Sequence, residues 1–121
     1  LPKLLDEELG NRRYAGSILV IGELLADSPP EDQGLLTFYL GEAYRRRGLG
    51  DDKAKAATYY AQAVALPGAP AAAWREHGFV QRSAGDAAGA RTSLQRYLQD
   101  APNAEDRAFV QRELEKLGGA R

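Results

Sequence analysis

A recurring interval of 34 residues constrains this chain more than any other feature of its sequence. Ala56 and Ala90 are 34 apart, and so are Tyr60 and Leu94. Gly41 to Gly78 and Gly48 to Gly85 are each 37, and a three-residue insertion in the turn Gly48-Leu49-Gly50-Asp51 accounts for the difference. Gly10 to Gly48 is 38, which four extra residues in the Ser28 to Gln33 connection explain. All these insertions fall in turns, where loop closure tolerates added length at little cost. Independent positions obeying one period indicate a repeated helical unit that buries its apolar side only by stacking on its neighbours.

The unit is clearest between Ala71 and Pro102. Trp74, His77, Gly78 and Gln81 recur at spacings of three and four, so they share one face of a helix. After a turn at Ala84-Gly85-Asp86, Ala90, Leu94 and Tyr97 form the matching stripe of a second helix, and Pro102 stops it because its ring cannot continue a helix. Gly78 stands in mid-helix, where it costs about 1 kcal/mol relative to Ala. That cost predicts another helix passing very close, with Gly41 marking the same place one unit earlier. The stretch resembles a tetratricopeptide repeat, a 34-residue helix-turn-helix unit. Trp74, Gly78, Gly85, Ala90, Leu94 and Pro102 occupy the signature positions in order, while Gln81 replaces the usual Tyr and Tyr97 the usual Ala. The resemblance implies an all-α fold, a right-handed helical-hairpin solenoid of about seven helices.

Taken in order, residues 1–27 read as the back half of a leading repeat. A short helical stretch, Lys3 to Leu9, ends at Gly10, and an apolar helix follows from Arg12 to Ala26. With its covering helix shortened, Ile18, Leu19 and Ile21 are expected to be exposed or covered by a second copy. Residues 28–67 read as a repeat: Ser28 as N-cap, Pro in the first turn and Glu31 as a capping-box partner, then a helix to about Arg47 carrying Leu40-Gly41-x-x-Tyr44. Its second helix spans Lys53 to Leu66, and Pro67-Gly68-Ala69-Pro70 breaks the chain. Residues 70–102 are the next repeat, and 103–117 a closing helix whose charged outer side suits the end of an array. All of this is expected to form one domain, 1–121.

Composition removes several classes of function. With no Cys and one His in the 121 residues, a thiol nucleophile and a closed zinc site are not available. His77 therefore reads as a packing residue, and Ser17, Ser28, Ser83 and Ser93 lack a nucleophile's setting. No phosphate-binding loop is found: Gly48-x-Gly50 and Gly85-x-x-x-Gly89 lack the strand-then-helix context and the Lys that such a loop needs. Sixteen basic against 17 acidic residues leave a net charge of −1, without the positive surplus that nucleic acid would favour. The longest apolar run, Ser17 to Ile21, is too short for membrane insertion. The chain is thus expected to be non-catalytic and to need no cofactor.

The resemblance also places a binding surface. In this family the first helix of each pair lines a concave groove, with lining residues next to the core stripe. Those places hold Leu35, Phe38, Glu42, Arg45 and Arg46 in one repeat, Arg75, Phe79 and Arg82 (with Ala72) in the next, and Phe109 on the closing helix. All three phenylalanines thus fall on the groove side, with arginines beside them. Such a groove suits a partner protein or peptide, extended or helical, with apolar anchors and acidic groups. Some family members hold a chaperone's C-terminal carboxylate with a Lys/Asn set, but Phe38, Glu42, Ala72 and Glu76 stand there instead. Two other roles fit the same sequence. One is a scaffold that self-associates, as a homo-oligomer, through its N-terminal face; the other is a docking appendage of a larger envelope peptidase-like enzyme. The Ala- and Arg-rich style suggests a bacterial source, in cytoplasm or envelope, and the chain reads as the tail of a longer protein.

Overall fold

A computed structural model describes residues 14–118. The helix expected over Lys3 to Leu9 and its Gly10 turn lie outside the described residues. Those that are described form six α-helices: α1 (Tyr14–Asp27), α2 (Gln33–Arg47), α3 (Asp52–Val64), α4 (Ala71–Ser83), α5 (Ala87–Asp100) and α6 (Arg107–Lys116). A single 3-10 turn, Pro30–Asp32, precedes α2, and there is no strand among them. The chain divides into two compact units, Leu1–Pro70 and Ala71–Arg121. The boundary follows the Pro67-Gly68-Ala69-Pro70 break.

In the first unit α2 packs on both α1 and α3. It is buried almost throughout from Leu36 to Ala43, which suits a helix with neighbours on two sides. The α2–α3 hairpin closes through Gly48, left-handed at φ 63°, whose N–H donates to Tyr44 O at 3.0 Å. The turn is fastened by Asp52. Its carboxylate accepts two bonds from the Arg47 guanidinium, at 2.7 and 3.0 Å, and one from the Leu49 N–H at 3.0 Å. Beyond the turn, the Tyr44 ring stacks on Tyr59 at 5.5 Å. Close approach occurs at Gly41, where a Cβ would lie 2.9 Å from Tyr60 Cε1.

The start of α2 departs from the sequence expectation. Ser28 does not cap it: its hydroxyl donates backward to Leu25 O at 3.1 Å, and the α-helix begins only at Gln33. Pro29 and Pro30 set their own φ and lead the chain into a 3-10 turn first. One orphan donor of the helix end is met from outside, since Gly34 N–H donates to Pro67 O at 2.8 Å. No side chain fits at Gly34, because a Cβ would sit 2.5 Å from both Pro67 O and Ala69 N.

In the second unit α4 and α5 form the hairpin expected between Ala71 and Pro102, turning at Gly85 with φ 85°. Asp86 caps α5 by accepting from Gly89 N–H at 2.9 Å. Leu94, Tyr97 and Leu98 of α5 form a core with Val110 and Leu114 of α6, and Trp74 and Phe79 pack against it. Asn103 to Asp106 stay outside the helix, so α6 starts at Arg107, four residues after the start of the closing helix expected over 103–117. Asp106 occupies the N-cap place but makes no capping bond, its carboxylate being engaged by Tyr97 and Arg75.

Candidate functional site

The candidate residues of the first unit do not form an open surface. Phe38 is 6% exposed, its ring edge-on to Tyr39 at 5.5 Å and 5.9 Å from Tyr60. It is a core residue, which corrects the expectation of an aromatic anchor at that place. Glu42 is buried too. It closes a polar network: Oε1 accepts from Tyr60 Oη at 2.5 Å, and Arg45 Nη2 donates to both carboxylate oxygens at 3.0 Å. Arg45 Nε also donates to Tyr60 Oη at 2.9 Å, and Arg46 reaches Glu42 Oε2 at 3.3 Å. Burial and the adjacent Glu42 charge push the Tyr60 phenol well above its ordinary range, so it stays a proton donor. Arg45 and Arg46 thus neutralise a buried carboxylate, with Leu35 half-buried nearby on the same helix.

The second unit brings its candidates together. Phe79 of α4 and Phe109 of α6 meet edge to face with centroids 6.2 Å apart. Phe79 is partly covered, and Phe109 is 44% exposed. The Arg82 guanidinium lies 5.0 Å over the Phe79 ring and pairs with Glu113, which also takes Lys116 at 3.1 Å. Arg75 pairs with Glu76 at 2.8 Å and with Asp106 at 3.3 Å. The rim is therefore charged but internally compensated. What it frames is a pair of aromatic rings, one of them open to solvent.

The helical hairpin with its glycine close approach completes the pattern. In α4 a Cβ at Gly78 would lie 2.8 Å from Leu94 Cδ2 and 3.2 Å from Ser93 Cβ. Residues 72–104 match the family model of the tetratricopeptide repeat. Over that segment the chain is similar to a tetratricopeptide repeat. No curated protein matches it. The tetratricopeptide repeat is in general a non-catalytic protein-interaction module. Among the described residues no group of three or more His, Asp or Glu could hold a metal ion, and no helix is long and apolar enough to cross a membrane.

Both departures from the tetratricopeptide signature have a partner. Gln81, in the Tyr position, accepts a 2.6 Å bond from Ser93 Oγ and so ties α4 to α5. Tyr97, in the Ala position, donates from Oη to Asp106 Oδ1 at 2.5 Å and carries Arg75 over its ring at 5.5 Å. Sequence patterning missed this Tyr97–Asp106–Arg75 link. Its residues lie on three helical segments and share no period.

His77 occupies a core position of the repeat with Nδ1 buried and unpartnered. Burial pushes its pKa below the ordinary value, with Asp86 acting weakly the other way. The unfolded chain then binds a proton more readily than the folded one. Stability should be full above about pH 6.5, the free imidazole value, and fall as pH drops below it toward the lower folded pKa. A second loss belongs to Asp52, whose hydrogen bonds to Arg47 hold its carboxyl down at about 2. Its contribution is present above the unfolded value near pH 4 and is lost between about pH 4 and 2. Thermal melts from pH 7.5 to 2.5 should show both steps, and His77→Leu should remove only the first. A melting temperature independent of pH between 7.5 and 5 would contradict the assignment.

Proposed function

We propose that the chain binds a short segment of a partner protein on the α4–α6 face, with Phe79 and Phe109 as the apolar anchor. The exposed edge-to-face pair carries the reading. An aromatic ring that is 44% exposed, braced edge to face by a second ring that itself lies under a guanidinium, is a preorganised contact with little rotamer entropy left to lose. Specificity then rests on an apolar or aromatic side chain of the partner more than on acidic groups, because Arg75 and Arg82 already have carboxylate partners.

The test is selection from a displayed peptide library on the immobilised chain, followed by calorimetry on the tightest peptides. A micromolar Kd, about −8 kcal/mol, is the expectation for so small a surface. Phe79→Ala and Phe109→Ala should each weaken binding by about 1–2 kcal/mol, roughly tenfold. Gln95→Lys, on the exposed side of α5, should change nothing. The reading fails if the selected peptides bind both Phe variants at full strength while these remain folded.

A further inference from the structure

The first unit holds a feature that binding at the α4–α6 face leaves unused. Between the second half of α1 and the start of α2 lies an open cavity of about 440 Å³. That is within the range of about 300–1,000 Å³ in which pockets hold ligands. Two chemistries line it: Val20, Leu24 and Leu36 are apolar, and Glu23, Asp27 and Asp32 are carboxylates. Val20 is 45% exposed, and its neighbour Leu19 lies open beside it. The apolar wall therefore continues onto the outer surface of α1.

Two of the three carboxylates are placed at an electrostatic cost, while Asp32 stands at the N-terminus of α2, where the dipole favours it. Glu23 and Asp27 sit in the C-terminal half of α1, where the helix dipole already presents about half a negative charge, and no basic residue stands in its last turn. Among the described residues no ion pair engages Glu23, Asp27 or Asp32. Glu42, Asp52, Asp100 and Glu113, by contrast, each rest on an arginine. An apolar pocket with uncompensated negative charge at its rim is complementary to one kind of occupant, a side chain or segment that is apolar with a cation attached. We infer that this cavity docks an amphipathic segment of a partner protein that presents a large apolar side chain and a lysine or arginine on the same face. A second copy suits it less well. Tyr14–Asp27 contains no cation, so an α1 facing another α1 would bring carboxylates without a positive partner.

The probes are two synthetic 18-residue helical peptides of one pattern, one with Leu and Lys on a shared face and the other with Leu and Glu. Binding to the whole chain is followed by fluorescence anisotropy at 0.05 M and 0.3 M salt. The Leu/Lys peptide should bind at least tenfold more tightly at low salt, with the preference shrinking as salt screens the rim. Val20→Ser should weaken its binding severalfold. Glu23→Gln with Asp27→Asn should abolish the preference for Lys over Glu, while raising the melting temperature by removing repulsion at the helix end. Glu105→Gln with Glu115→Gln makes the same charge change elsewhere on exposed positions and should leave the preference intact. Equal binding of the two peptides, or an equal loss in the Glu105/Glu115 variant, overturns the proposal. So does a dimer in light scattering that Val20→Ser dissolves, because the occupant would then be a second copy.

Discussion

Gly78→Leu is expected to lower stability by about 3 kcal/mol or more, the upper end of what an extra side chain costs in a packed core. A single Cβ at that position would already lie 2.8 and 2.9 Å from two carbons of Leu94. Leu94 is fully buried and belongs to the core it shares with Tyr97 and Val110, so it has nowhere to retreat. Four carbons instead of one must part α4 from α5. At about 4 °C per kcal/mol for a chain of this size, the melting temperature should fall by about 12 °C. Gly22→Ala supplies the contrast: a Cβ there meets nothing within 4 Å, and the gain in helix propensity should stabilise by up to about 1 kcal/mol. Equal melting temperatures for Gly78→Leu and the parent chain would show that the helices are paired differently.

Glu42→Ala should cost about 2–3 kcal/mol through the network it closes. The substitution removes a charge-assisted acceptor 2.5 Å from the Tyr60 hydroxyl, which is itself buried. Arg45 and Arg46 can turn to solvent, being partly exposed, so most of the loss comes from the buried hydroxyl left short of a partner. Combining Glu42→Ala with Tyr60→Phe removes that orphan. The double variant should therefore be less destabilised than the sum of the singles by about 1 kcal/mol. Strict additivity in denaturant unfolding would mean that the Glu42–Tyr60 bond contributes nothing.

Much of the fold was legible because it rests on periodic features. The interval between Ala56 and Ala90, the glycines at 41 and 78 and the turn glycines at 48 and 85 each report backbone geometry that only a few residue types allow. The α2 start is not legible locally, since Ser28, Pro and Glu31 fit a capping box, while the deciding contact, Gly34 N–H to Pro67 O, comes from more than thirty residues away. The candidate site was legible in part. Position within the repeat brought Phe79, Arg82 and Phe109 to one place. The same rule sent Phe38 there, but Tyr39 and Tyr60 enclose its ring. Nor does spacing show charge compensation: Arg45 rests on Glu42, Arg75 on Glu76 and Asp106, and Arg82 on Glu113. Such pairs join separate helices or depend on rotamers, and neither leaves a periodic trace.

On the proposed function, a partner segment docks on the two phenylalanines. Amide chemical-shift mapping of the labelled chain, titrated with the tightest peptide from the displayed library, tests it directly. The largest shifts are expected on α4 from Arg75 to Arg82 and on α6 from Phe109 to Glu113. Gln95 and Gln99 on the exposed side of α5 should stay still. Shifts concentrated at Gln95 and Gln99, with Phe79 and Phe109 unmoved at saturation, would contradict it.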